Sequence, residues 1–284
     1  MVLRYSLIGL LLVMTGCSAD SKKQSTLQTP VALSSTFWQG FEYADKERLE
    51  DTLSLHKAFH AWLEMFEGVS ESDAKASLGK LIVDGNEHPE MQHLLMLIGE
   101  RFLNNPNSPF RNEELYIPML EAMIEAPSIS EENKFRYRFQ YNTAMKNRRG
   151  TQANDFRYIT SQKKKGNLYQ LEHEYILLYF FNPECHDCAR VKAYMEASSI
   201  IGKMQQEGRL QVLAVYPDED LVAWNRHADK NPKEWITARY VSQKEAEAFY
   251  LPAIPNLYLL DKDKMVLLKD APIELIEAVL FSPF

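Results

Sequence analysis

The sequence predicts two folded parts in series, an all-α helical bundle followed by an α/β domain. Three observations carry this. From Phe37 to about Arg149, apolar residues recur three or four positions apart, the period of amphipathic helices. Beyond Thr151 come short β-branched and aromatic runs, Tyr175–Phe181, Leu210–Tyr216 and the stretch through Leu257–Leu260, which have the length and composition of buried strands. Helical patterns separate these runs, as in an α/β sheet. With 284 residues, 45% hydrophobic and 25% charged, the chain is large enough for two cores. Its net charge of −7 argues against nucleic acid as a partner.

Residues 1–16 read as a removable signal. Arg4 precedes an apolar stretch from Leu7 to Met14, far below the roughly 20 residues that a spanning helix needs. Met14-Thr15-Gly16-Cys17 resembles the bacterial lipobox, with Met14 standing where leucine is usual. The resemblance implies acyl chains on Cys17 that anchor the protein to a membrane, and Ser18 fits the outer rather than the inner one. The expected product is an exported, periplasm-facing lipoprotein of the cell envelope. Residues 17–35 are rich in Ser, Thr, Gln and Lys, the composition of a flexible tether.

Residues 36–149 form the helical region. Periodicity is clear in Leu53, Leu55, Phe59, Trp62, Leu63 and Phe66, in Met91, Leu94, Leu95, Ile98 and Phe102, and in Leu115, Met119, Leu120 and Met123. Breaks at Gly68, Asn86–Pro89, Asn104–Pro109 and Ala126–Ser128 divide it into four or five antiparallel helices. The stretch Asn107–Pro118 resembles the helical domain of unknown function that precedes thioredoxin-like domains in bacterial lipoproteins. Arg111, Asn112 and Glu113 at a helix start either bind a partner or cap and charge the first turn, and capping is the simpler reading. His56 and His60 lack a third metal-binding partner in sequence, so they read as satisfied or exposed histidines. The run Lys163–Lys165 reads as a solvated hairpin tip.

Residues 150–284 carry the chemistry. Cys185-His186-Asp187-Cys188 follows a strand-like run and opens a helical pattern. Two cysteines separated by two residues at such a junction are the usual place for dithiol redox chemistry. The helix N-terminus directs unpaired N–H groups at the first sulfur and favours its thiolate. Val191, Met195, Ser198 and Ile201 continue a stripe that begins at Cys188, so Cys188 faces the core as resolving thiol and Cys185 is the accessible nucleophile. Among the neighbours that tune the pair, His186 favours the thiolate, whereas Glu184 and Asp187 oppose it. Far downstream, Ile254-Pro255 stands at the mouth of a strand-like run, where proline is tolerated and an X-Pro bond can be cis.

The cysteine pair after a core strand and the late proline together resemble the thioredoxin superfamily. That resemblance implies a thioredoxin-like fold, a central mixed sheet flanked by helices, in which Ile254-Pro255 is the cis pair that faces Cys185 and offers backbone to a bound chain. The strand-like run Leu210–Tyr216 and a long helical insert before Pro255 make the segment similar to the TlpA/ResA type. Two departures stand out. Glu184 occupies the position of the usual tryptophan, and Tyr179 that of the usual buried aspartate.

Three readings of the pair follow. In the first, a thiol–disulfide oxidoreductase reduces or exchanges disulfides of exported proteins and is recharged by a membrane or periplasmic electron donor. The redox disulfide Cys185–Cys188 then replaces any cofactor. In the second, a redox-inactive thioredoxin-fold lipoprotein serves as a binding module, since fold does not imply activity. A metal site is the third, and it needs two ligands beyond the cysteines, with only His173 and His186 near in sequence. With Cys17 used for lipid and two cysteines in the motif, none of the three is left for a structural bridge.

Overall fold

The computed structural model describes residues 34–282; Cys17 and the lipobox lie outside them. The helical part consists of α1 (Lys46–Glu50), α2 (Thr52–Glu64), α3 (Glu71–Asp84), α4 (Pro89–Gly99, continued by a π-helical turn, Glu100–Asn104), α5 (Glu113–Glu125) and α6 (Glu131–Ala144). Their starts follow from side chains that satisfy orphan N–H groups. Asp51 accepts from Ser54 N at 3.1 Å, Ser70 from Asp73 N at 3.1 Å and Asn112 from Leu115 N at 3.3 Å, while Pro89 occupies the first turn of α4. Phe59, Trp62, Leu78, Met91, Leu95, Met119 and Met123 meet in one core.

Among the described residues, six helices stand from Lys46 to Ala144, with residues 34–36 helical as well, where the sequence suggested four or five. Asp51 ends α1 and caps α2 in a single residue, so two helices share one apparent segment. In α6 only Tyr137 and Ala144 are buried, too few to mark a stripe. Leu53, counted in the periodic stripe, is exposed.

The second part is a seven-stranded sheet of β1 (Arg157–Thr160), β2 (Lys165–Asn167), β3 (Tyr175–Phe180), β4 (Leu210–Tyr216), β5 (Ile236–Tyr240), β6 (Asn256–Asp261) and β7 (Val266–Lys269). Its order is β2-β1-β5-β4-β3-β6-β7, with β3, β4 and β5 parallel and the remaining neighbours antiparallel. The helices are α7 (His186–Ala197), α8 (Ser199–Gln206), α9 (Leu221–His227), α10 (Gln243–Ala246) and α11 (Ile273–Phe281). Because side chains alternate along a strand, Leu177 and Tyr179 of β3 join the core that includes Val191, Ile201 and Ile276 of the helices. Ile176, Leu178 and Phe180 face the opposite core with Phe156 and Phe249. The mixed sheet with flanking helices is the thioredoxin-like architecture.

The long helical insert before Pro255 is not one helix. Short α9 and α10 flank β5, which pairs in parallel with β4 from Leu213↔Ile236 to Tyr216↔Arg239. Parallel pairing is a long-range interaction, and a five-residue strand among charged neighbours carries little local signal of it. The stripe beyond Cys188 is also interrupted, since Ser198 ends α7 and caps α8.

Candidate active site

β3 is buried from Ile176 to Phe180 and delivers the chain to the loop Phe181–Glu184. Asn182 shapes that loop. Its carbonyl accepts from Cys185 N at 3.1 Å, its Oδ1 accepts from Glu184 N at 2.9 Å, and its Nδ2 donates to Asp218 Oδ2 at 2.7 Å. Cys185 is thereby set as the N-cap of α7, its Sγ accepting from Cys188 N at 3.3 Å. A sulfur at this place takes the hydrogen bond that a serine or aspartate oxygen makes at other helix starts.

Both cysteines carry free thiols; Cys185 is partly exposed and Cys188 is buried. Burial pushes the Cys188 thiol up to about 12, the hydrogen bond with Cys185 adds to this, and the Asn182 backbone opposes it. Tyr179, buried beneath α7, donates its hydroxyl to Cys188 O at 2.7 Å. Burial holds that hydroxyl protonated well above its ordinary range.

Across the loop, Ile254-Pro255 is a cis pair, and the Cys185 thiol points at Ile254 O, 3.7 Å away. These residues, far apart in sequence, come together because β6 lies antiparallel against β3, placing Asn256 opposite Phe180. Glu184, His186 and Asp187 are exposed around Cys185. Arg226 lies 3.8 Å from Glu184 and Arg190 3.8 Å from Asp187, so water and counter-charges weaken their fields at the sulfur. Of the histidines weighed as ligands, His56 bonds Thr52 O at 2.7 Å and His60 lies 3.7 Å from Glu64. Among the described residues no three His, Cys, Asp or Glu side chains gather as a metal site.

Comparison with known families matches residues 173–266 to a thioredoxin-like family and residues 24–147 to a domain of unknown function, DUF5106. A crystal structure of a thioredoxin-like protein from Bacteroides caccae ATCC 43185 is 33% identical over 98% of this chain and 100% of its own, with a TM-score of 0.88. The chain is a thioredoxin-like protein. The C-terminal domain of an uncharacterized protein from Bacteroides fragilis NCTC 9343 is 42% identical over 48% of this chain and 99% of its own, with a TM-score of 0.46. The thioredoxin domain of a thiol-disulfide oxidoreductase from Bacteroides vulgatus is 16% identical over 46% of this chain and 94% of its own, with a TM-score of 0.39. Comparison with curated proteins gave no match.

In this thioredoxin-like protein, sequence reasoning missed Asn182, Asp218 and Asn256. Asn182 lies three residues before Cys185 in an Asn-Pro turn, a signal for side-chain to backbone bonding that was available locally. Asp218 and Asn256 act through partners distant in sequence.

Proposed function

We propose that this protein is a membrane-anchored thiol–disulfide oxidoreductase that reduces or exchanges disulfides of exported proteins through Cys185 and Cys188. The observation that carries the reading is the placement of Cys185 Sγ at the start of α7, 3.7 Å from Ile254 O, with Cys188 buried behind it. The Cys185 thiolate attacks one sulfur of a substrate disulfide. A Cys185–substrate disulfide forms and one substrate thiolate leaves, taking up a proton. Cys188 then loses its proton and attacks Cys185 Sγ, releasing the second substrate thiol and leaving a Cys185–Cys188 disulfide. The two electrons gained by the substrate come from the dithiol, which a membrane or periplasmic electron donor restores. Ile254 O is placed to accept an N–H from an extended substrate segment, a strand-like mode of recognition. Glu184, His186 and Asp187 act as modest tuning charges.

Acyl chains on Cys17 would hold the enzyme to the envelope, on the periplasmic side of the outer membrane. Labelling with palmitate that disappears in Cys17→Ser supports this, and equal labelling of that variant rejects it. Insulin reduction in the presence of dithiothreitol tests the chemistry. Turnover above the uncatalysed rate is expected; its absence selects the redox-inactive binding module instead. Equilibration with glutathione gives direction, since a potential near about −270 mV marks a reductant and one near about −120 mV an oxidant.

A further inference from the structure

Asn256, the residue after the Ile254-Pro255 pair, is fully buried and donates through Nδ2 to Asp270 Oδ1 at 2.6 Å. Asp270 follows β7 with φ +48, a backbone conformation uncommon for side-chain-bearing residues. Its other carboxylate oxygen pairs with Arg111. Arg111 belongs to the helical domain, just ahead of α5, and its side chain is only 13% exposed. Beside it, Glu113 bonds Lys269 at 2.7 Å, and Lys269 donates to Ala144 O and Lys146 O at 2.9 and 2.7 Å. A continuous polar chain therefore runs from the helical domain to Asn256, two residues beyond the carbonyl that meets the Cys185 thiol.

We propose that Arg111 is a positioning residue for the thiol site, holding Ile254 O against Cys185 through Asp270 and Asn256. The helical domain thus completes the substrate-docking edge of the redox domain. The inference rests on the oxidoreductase reading for its consequence in turnover, but the positioning itself requires no turnover. Asp270 and Asn256 have few alternative arrangements: both are enclosed, and Ala271 N is tied to Leu257 O at 3.3 Å beside them. Without the guanidinium, Asp270 becomes a largely enclosed carboxylate without its principal cation, and its grip on Asn256 loosens.

Two measurements on the full chain test this in Arg111→Met, Arg111→Lys and Asp270→Asn. The first is the rate of Cys185 carboxamidomethylation by iodoacetamide, followed by mass spectrometry. The second is the split between KM and kcat for insulin. Arg111→Met is expected to speed alkylation and raise KM, each by about tenfold, with kcat less affected, the scale of coupling through packed polar networks. Arg111→Lys should recover part of both effects. Asp270→Asn keeps an acceptor for Asn256 and should shift both in the same direction by a smaller factor, which preserves the test if Arg111→Met does not fold. A lowered Tm with wild-type alkylation and KM in these variants overturns the proposal, because it leaves Arg111 a structural role alone. If the wild type itself fails to reduce insulin, the oxidoreductase reading falls, while the alkylation rates still decide whether Arg111 positions the site.

Discussion

The thiol end of the sheet and the seam between the two domains both withdraw ionisable groups from water, and the outcomes are opposite. Beneath α7, Cys188 shares a buried apolar core with Tyr179, Phe181 and Val191, and burial pushes its thiol up to about 12. At the seam, burial also opposes ionisation of Glu114, yet hydrogen bonds from Arg148 and Lys75 outweigh it and hold the carboxyl down to about 2. Arg148 Nη2 and Lys75 Nζ each lie 2.6 Å from Glu114 Oε2. The sign of the shift is decided by the partner rather than by burial. One region keeps a group neutral. The other keeps charges fixed so that the chain leaving the helical region at Arg148 stays held to α3 and α5.

Removing sulfur is the most severe way to break the first half of this comparison. Cys185→Ser should abolish insulin reduction if, as proposed, the accessible sulfur is the attacking atom. Cys188→Ser should instead accumulate mixed disulfides between Cys185 and substrate, visible on non-reducing gels, since the second thiol is needed for release. In the wild type near pH 7, iodoacetamide should modify Cys185 and leave Cys188 untouched, because a thiol held up to about 12 is protonated there. Trapping by Cys185→Ser would reverse the roles.

The seam is tested by acid. Glu114 has its carboxyl lowered from 4.5 to about 2 in the folded chain, so its contribution is fully present above pH 4.5 and fades as pH falls toward 2. A depression of that size corresponds to about 3 kcal/mol for a carboxylate largely shielded from solvent, and Glu114 is 16% exposed. Glu71, which bonds Lys75 at 2.6 Å and pairs with Arg149, is shifted in the same direction. Glu114→Gln should lower stability at pH 7 by about 2 to 3 kcal/mol, the cost of leaving enclosed cations short of a partner. It should also flatten the loss of Tm between pH 4.5 and 2. A variant whose Tm follows the wild type across that window would show that the seam draws nothing from this carboxylate.

Local chemistry made the thiol end readable and left the seam hidden. The strand, the cysteine spacing, the helix start and the proline are each short-range signals, and the inward stripe from Cys188 through Val191 to Met195 matches the buried residues of α7. At Arg111-Asn112-Glu113 the sequence announced a helix cap, and Asn112 performs it. What it could not announce is that Arg111 and Glu113 reach Asp270 and Lys269 at the end of β7. Those pairings arise only when the end of β7 is brought to the N-terminus of α5, and no periodicity records them. β5 was missed for the same physical reason, since its partner strand β4 supplies what its own five residues lack.

The smallest expected effect refines the comparison inside the thiol region. Tyr179 stands where the wider superfamily places a buried carboxylate, and its hydroxyl donates to the backbone carbonyl of Cys188. Its hydroxyl is kept protonated by burial, so it acts as a donor and orients the first turn of α7 rather than receiving a proton from the thiol. Tyr179→Phe removes one neutral hydrogen bond and leaves the ring in place. Urea denaturation should therefore show a loss of about 1 kcal/mol, with insulin turnover within about twofold of wild type, as expected when no transition-state contact is removed. A fall of tenfold or more in turnover, with release of the mixed disulfide as the slow step, would instead place this hydroxyl on the proton path of Cys188. The neutral state of that thiol would then depend on Tyr179 as well as on burial.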